Sequence, residues 1–455
     1  MWKPALDDDA ETLTGQLLAA MRRDIRAGVL EPGSRLPTHR DLAHRLGVAV
    51  GTVTAAYAQA VQQGLIEARV GRGSFVLAAS AAEEKGDVIL SYNVPPLEPA
   101  ARHLTAALKS LRARRDLLDA LNYVPVAGLE AHRGAAAAWL KRRCGFALAD
   151  PGRMMITCGA QQATALVLGA LAKPGETILT EAATFFGVKT LAHHVGYKLQ
   201  GLAMDGEGLL PQALDRAAAS GKARILYTLP TLQNPTGRIM GEQRRADIAK
   251  IARKRKLWII EDDTFGAFAA GNAPPPLATF APEQTVYISG LSKILAPGLR
   301  TAYLQTLDDD MREKIGQAIR ATSLSLGGVG HLIASQWIDD GTADEIADAV
   351  TAEIRARNTL VRRKLDKLLE PEADRRCPHL WLPLPELDAE RLTARAQRHG
   401  VQLTPPDAPI VNPALISGVR LCVGGDLSEP RLDAAVTMVA DALIAGREER
   451  SLTLV

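Results

Sequence analysis

Apolar positions follow two different rhythms along the chain. Over residues 11–76 they read as three short helices followed by a pair of short strands. Beyond about residue 130 short continuous apolar runs take over, bounded by glycine, proline or acidic residues: RMMITCG (153–159), ETILTE (176–181), ARILYTLP (223–230), LWIIEDD (257–263), TVYISG (285–290) and RTAYLQT (300–306). Helical stretches such as QQATALVLGALA and EQRRADIAKIARKRK separate them. Runs that are apolar throughout belong to strands covered on both faces, so this part is expected to be α/β with a mostly parallel sheet. Ligands of such sheets bind beyond the carboxyl ends of the strands, where candidate site residues are therefore sought. Between the two rhythms, LAASAAEEKGDV (77–88) is small, polar and without useful periodicity, which predicts a flexible connection. The expected organisation is a small module over residues 8–78, a linker over 79–97 and a large domain over 98–455.

In the small module Thr38 stands three residues before Asp41, a helix N-cap signature, and Gly47 supplies the stop, which predicts a helix of about two turns. The next helix, AVGTVTAAYAQAVQQG, places Val53, Tyr57, Ala60 and Val61 on one stripe and Gly51, Thr52 and Thr54 on another face. In LIEARVGRGSFV the turn VGRG joins two short strands and carries Arg69 and Arg72. Two helices across a tight turn, followed by a basic hairpin, describe an α+β winged helix-turn-helix that reads a DNA major groove; a small protein-interaction module is the other reading of that pattern.

The stretch LPTHRDLAHRLGVAVGTVTAAY, with GLIEARVGRGSFV after it, resembles the GntR family of bacterial winged-helix repressors over roughly residues 11–76. By that resemblance Arg40, Gly51, Thr52, Thr54, Gly71 and Arg72 fall on DNA-contacting positions, and the partner is a double-stranded DNA operator. Side-chain chemistry agrees: Thr52 can donate to a phosphate, Gly71 lets the wing approach the duplex, and Arg72 suits a narrow minor groove. Many relatives begin the recognition helix with arginine where this chain has Val50, so one contact is expected to be missing. Arg22, Arg23 and Arg26 are expected to be the solvated face of the first helix.

Charge and cysteines narrow the field. A net charge of +3 over 455 residues gives no general argument for nucleic acid or membrane binding, so DNA contact must come from a local patch. Cys144, Cys158, Cys377 and Cys422 show neither a CxxC pair nor disulfide spacing, which suits reduced thiols in a cytoplasm and suggests no structural metal. No segment approaches the roughly 20 apolar residues of a membrane span, so a cytoplasmic protein without a membrane partner is expected.

Lys293, in SGLSKILAPGLR (289–300), follows a strand end. It is either a solvated charge or an imine-forming amine made reactive by burial. Pyridoxal phosphate needs such a lysine, an acid for its ring nitrogen, phosphate donors, a donor to its ring oxygen and a flat group against its ring. Asp262 ends LWIIED and could pair with the ring nitrogen, or be part of a solvated acidic strand end with Glu261 and Asp263. Gly159, Ala160 and Gln161 open a helix whose free amides favour phosphate, and Ser292 and Arg300 could complete that site. Asn234, in LQNPTG, could reach the ring oxygen; Phe185 could stack on the ring, or be core.

Through residues 123–128, GAQQA, NPTG, EDD, SGLSKILAPGLR and GVRLCV, the chain resembles the fold-type I aminotransferases over roughly residues 98–455. The resemblance implies pyridoxal 5'-phosphate on Lys293 as a Schiff base, Tyr123 reaching the phosphate across a dimer interface, Arg420 binding a substrate α-carboxylate, and a smaller α+β subdomain beside the main sheet. Two departures stand out. Thr264 and Phe265 follow the two aspartates where regulatory relatives carry a tyrosine, and Gly290 replaces a hydroxyl residue. The fusion resembles the MocR subfamily of bacterial transcriptional regulators, which implies a head-to-tail homodimer whose large domain senses an amino acid or other amine. An active aminotransferase with an accessory DNA-binding domain, or a regulator of vitamin B6 genes sensing the cofactor itself, are the alternatives.

Overall fold

The computed structural model describes residues 2–6, 12–26, 29–31, 33–62, 65–69, 73–76, 87–112, 117, 122–371 and 373–452. The chain divides into two compact units, Met1–Gly86 and Asp87–Val455.

In the first unit α1 (Leu13–Arg26), α2 (His39–Leu46) and α3 (Val50–Gln62) precede β1 (Ile66–Arg69) and β2 (Gly73–Val76), which pair antiparallel with Arg69 opposite Gly73. The Asp41 amide donates to Thr38 Oγ1 (3.2 Å) at the start of α2, and Gly47 ends it at φ 66°, a left-handed turn that glycine adopts without strain. Leu17, Met21, Leu42, Val53, Tyr57 and Ile66 meet in one core. Val61 does not join it: it is 43% exposed, and Ala56 is buried instead. At 3.6 residues per turn, positions 53, 56, 57 and 60 share a face and 61 falls at its edge.

The second unit begins with β3 (Val88–Ile89), α4 (Glu98–Leu111), α5 (Glu130–Arg143), β4 (Met154–Thr157), α6 (Ala160–Leu171), β5 (Thr177–Glu181), α7 (Phe186–Val195) and β6 (Lys198–Leu202). A small hairpin, β7 (Met204–Asp205) with β8 (Gly208–Leu209), leads to α8 (Pro211–Ala218), β9 (Ile225–Thr228), α9 (Glu242–Arg255), β10 (Trp258–Asp262), α10 (Leu277–Phe280), β11 (Thr285–Gly290) and β12 (Ala302–Gln305). Seven of these strands form one sheet in the order β4-β12-β11-β10-β9-β5-β6. All of its pairings are parallel except the two made by β12. Six of the seven are the apolar runs of the sequence. The seventh, β6, lies at the edge and alternates between exposed and half-buried positions up to its buried last residue, Leu202, so it carries no continuous apolar run.

The chain continues through α11 (Asp309–Ser323), α12 (Gly328–Asp339) and α13 (Thr342–Leu365). It then forms a smaller α+β part: β13 (His379–Pro383), α14 (Glu386–Arg398), β14 (Val401–Gln402), β15 (Gly418–Cys422) and α15 (Glu429–Leu452). β13 pairs antiparallel with β15, and β14 pairs in parallel with β3. Leu90 joins the two pairs, its carbonyl accepting from the Cys422 amide (2.8 Å) and its amide donating to Gln402 O (2.8 Å). Residues 87–97 therefore belong to the folded second unit and not to the linker that the sequence assigned them. A two-residue strand paired with distant residues leaves no periodic signal of its own.

Candidate functional site

Residues that follow β4, β5, β9, β10 and β11 line one cavity of about 230 Å³, at the carboxyl ends of the parallel strands. Lys293 lies just beyond β11, and its Nζ donates to the Asn93 carbonyl (2.7 Å). Burial pushes the lysine pKa below its usual value; Arg420 and Arg300 push the same way, while Cys422 and Asp262 oppose them. This is no solvated surface charge.

Asp262, the last residue of β10, is 3% exposed, and so the reading of a solvated strand end fails. Its carboxylate accepts from the Tyr227 hydroxyl on β9 (2.5 Å), from the Thr264 amide (3.1 Å) and from the Thr264 hydroxyl. Burial raises its pKa, and the Thr264 and Tyr227 bonds and the Lys293 charge draw it back down. Glu261 and Asp263 are buried as well but do other things. Glu261 accepts the amides of Leu277 (2.8 Å) and Ala278 (2.7 Å) at the start of α10, beside Arg245. Asp263 accepts from the Tyr287 hydroxyl, and burial followed by the Glu261 charge pushes its carboxyl up to about 7. Of the three acids only Asp262 lines the cavity.

Gly159 precedes α6 at φ 97°, and a Cβ there would lie 2.7 Å from Arg300 Nη2. The glycine thus lets the guanidinium lie across the helix start, where it donates to Cys158 O (2.8 Å). Arg300 is itself left-handed (φ 46°), the backbone turn that sends its side chain there. First-turn amides of a helix have no intrahelical acceptor, so Ala160 and Gln161 offer N–H groups beside a cation, with Ser292 also in the lining. The Gln161 side chain is engaged elsewhere, donating to Gly187 O (2.8 Å). Gly290 is not forced by packing: a Cβ there would touch Ala160 at an ordinary 3.7 Å.

Phe185, half-buried, lines the cavity with its ring 4.9 Å from that of Phe186. Asn234 and Arg420 are each 3% exposed, and Arg420 Nη1 donates to Asn234 Oδ1 (2.8 Å). Arg420 also donates to Ser91 O (3.0 Å) and Thr404 Oγ1 (3.2 Å), so its described partners are all neutral oxygens. A buried guanidinium served only by neutral acceptors keeps its charge uncompensated by these partners, and a carboxylate is the kind of group that would compensate it. Tyr123 is not brought to this cavity by its own chain and stands 75% exposed.

Residues 85–439 match the family described as aminotransferase class I and II, and residues 13–76 match the gntR family of bacterial regulatory proteins. The chain belongs to the aminotransferase class I and II family. It is 30% identical over 369 residues, 80% of this chain and 79% of the relative, to the uncharacterized HTH-type transcriptional regulator YdeF of Bacillus subtilis (strain 168). It is 26% identical to aromatic-amino-acid aminotransferase 1 of Thermococcus litoralis, over 71% of this chain and 81% of that one. Among solved structures, alpha-aminoadipate aminotransferase LysN of Thermus thermophilus, complexed with N-(5'-phosphopyridoxyl)-L-leucine, is similar at TM-score 0.70 and 25% identity, covering 82% of this chain and 94% of that one. The chain is thus a GntR-type regulator fused to an aminotransferase-like domain of fold type I, a MocR-type architecture, and the family's cofactor is pyridoxal phosphate.

The cavity fits that cofactor. It combines a half-buried lysine, a buried acid, a helix start kept open at Gly159 for an arginine, and an aromatic ring. Other parts of this aminotransferase-like site had no sequence motif. Ser91, Tyr92, Asn93 and Val94 line it from the stretch read as linker, and Tyr227 supports Asp262 from within an apolar strand run. Spacing alone could have found only Tyr227, as the one hydroxyl-bearing aromatic in ARILYTLP.

In the DNA-reading unit, Arg40 on α2 and Gly51 and Thr54 on α3 are exposed, and Thr52 is half-buried. The Thr54 hydroxyl donates to Val50 O (2.9 Å) and lies 3.2 Å from His39 Nδ1. Gly71 and Arg72 lie outside the described residues. No helix among the described residues is long and apolar enough to cross a membrane.

Proposed function

We propose that this protein is a transcriptional regulator that binds an operator through its winged helix and changes its DNA affinity when an amino acid or another amine binds at the cofactor site. The observation that carries the reading is the meeting of Lys293, Asp262, Arg300 and Arg420 in one cavity of a chain that also carries a GntR unit. Lys293 would hold the cofactor aldehyde, Asp262 the ring nitrogen, Asn234 Nδ2 the ring oxygen and Phe185 the ring face. Gly159, Ala160, Gln161, Ser292 and Arg300 would hold the phosphate. When bound, pyridoxal phosphate supplies an aldehyde that condenses reversibly with a primary amine, releasing water.

The rest is work for the chain's own groups. Burial favours the unprotonated Lys293 amine, the nucleophilic form. Asp262, held by Tyr227 and Thr264, keeps a carboxylate aimed into the cavity. Arg420 orients an anionic ligand group. A ligand seated there changes DNA affinity only if it binds two arrangements of the protein unequally. In a head-to-tail homodimer with Tyr123 reaching across, two DNA-reading units would match repeated half-sites.

The test is retardation of DNA from the gene's own upstream region, with and without amines, at stated salt. Retardation that survives Arg40→Ala undiminished, or that no amine alters in the cofactor-loaded protein, rejects the proposal.

A further inference from the structure

Arg300 reaches the start of α6 by way of its backbone. Its φ of 46° is left-handed, a conformation that a residue with a side chain adopts only at a cost, so neighbouring groups must hold it. Within the turn the Arg300 amide donates to Pro297 O (3.2 Å), and the hydroxyl of buried Thr301 donates back to Leu299 O (2.9 Å). Thr301 O accepts the Leu291 amide (3.1 Å), which ties the turn to the stretch that carries Lys293.

A further hold comes from α12. Gly330 lies so close to the Leu299 backbone that a Cβ there would stand 2.2 Å from Leu299 O. Rotating a side chain cannot relieve a clash with a backbone atom, so glycine is what lets the first turn of α12 come this near. The next residue, His331, is 4% exposed, and its imidazole donates to the Arg300 carbonyl. Burial pushes that imidazole down to about 4, the bond to Arg300 opposing the shift and the His132 charge adding to it. At neutral pH the ring is therefore an uncharged donor to the backbone and not one more cation for an anion. His331 does not itself line the cavity.

We infer that Thr301 and His331 are positioning residues for the phosphate subsite, which lock the left-handed turn that aims the Arg300 guanidinium at the start of α6. The Leu299 and Arg300 carbonyls belong to the two peptide planes on either side of the Arg300 Cα, and the rotations of those planes are its φ and ψ. Thr301 holds one plane and His331 the other. This rests on the reading that Arg300 holds the cofactor phosphate.

The test measures the affinity of the full chain for pyridoxal phosphate and for pyridoxal, which has the same ring and aldehyde but no phosphate. Visible absorbance follows binding in wild type, His331→Leu, His331→Gln, Thr301→Val and Arg300→Gln. His331→Leu and Thr301→Val, each lacking one hydrogen bond, are expected to bind pyridoxal phosphate about 3- to 10-fold more weakly and pyridoxal as well as wild type does. His331→Gln keeps an N–H donor and is expected to return toward wild-type affinity. Equal losses for both ligands would reduce the two residues to packing and overturn the inference, as would unchanged affinity for pyridoxal phosphate. A phosphate-specific loss confined to Arg300→Gln overturns the inference and leaves the phosphate reading standing; no such loss even in Arg300→Gln overturns both. Thermal melts confirm that the variants are folded, and Thr301→Val carries the same test should His331→Leu fail to fold.

Discussion

Tyr227 donates a 2.5 Å hydrogen bond to Asp262 Oδ2 across neighbouring parallel strands, both residues being buried and Asp262 lining the cavity. This bond and the two from Thr264 hold the carboxylate in one orientation and favour its charged form. Tyr227→Phe removes one of the three. The variant is expected to bind pyridoxal phosphate about 3- to 10-fold more weakly, the effect of one lost hydrogen bond, and to show cofactor absorbance whose pH profile is displaced. Wild-type affinity together with a wild-type profile would show that Tyr227 does not position Asp262.

Lys293 is half-buried in the cavity with Asp262, just beyond β11. Lys293→Ala is expected to abolish the visible band of the lysine-bound cofactor while leaving the apolar core untouched. Absorbance spectra of wild type and variant after identical reconstitution decide this, with thermal melts to confirm that both are folded. An unchanged band would reject Lys293 as the attachment point.

Gly159→Ala should damage the phosphate cradle. The residue sits at φ 97°, and the new Cβ would meet Arg300 Nη2 at 2.7 Å. A loss of about 1–3 kcal/mol of stability is expected from the backbone conformation alone, with weaker cofactor binding as Arg300 is pushed aside. Denaturant melts of apoprotein and loaded protein separate the two effects.

Asp263 provides a pH test. Its folded pKa is raised from 3.8 to about 7, so the folded state holds a proton that the unfolded state has released anywhere between those values. Its contribution to stability is fully present below about 3.8 and is lost as pH rises toward 7. Asp263→Asn is expected to flatten that part of the stability curve, measured by chemical denaturation across the pH range. A slope unchanged by the substitution would place the titration elsewhere.

Arg40 is exposed on α2. If it meets DNA phosphate, Arg40→Ala should weaken operator and unrelated DNA alike and lower the slope of log affinity against log salt by about one. Loss confined to the operator would instead mark a base contact.

Much of the protein is written locally in its sequence. Continuous apolar runs announced six of the seven strands of the main sheet because a strand covered on both faces has no polar side to show. Thr38, Asp41 and Gly47 announced α2 because capping acts over three or four residues. Lys293, Asp262 and Gly159 were legible because each follows or ends such a run and the fold gathers strand ends at one edge, and Arg300 because it shares the stretch SGLSKILAPGLR with Lys293. Tertiary structure alone decided the rest. Residues 87–97 read as linker because no motif or run of their own marks them, yet β3 pairs with the distant β14 and delivers Ser91 and Asn93 to Arg420 and Lys293. The Tyr227 bond to Asp262, the separation of Asp262 from Glu261 and Asp263, and the apolar rings beside Arg420 are likewise products of packing. The reason is physical: caps and periodicities depend on neighbours along the chain, whereas burial and hydrogen-bond partners depend on neighbours in space, which no local stretch encodes.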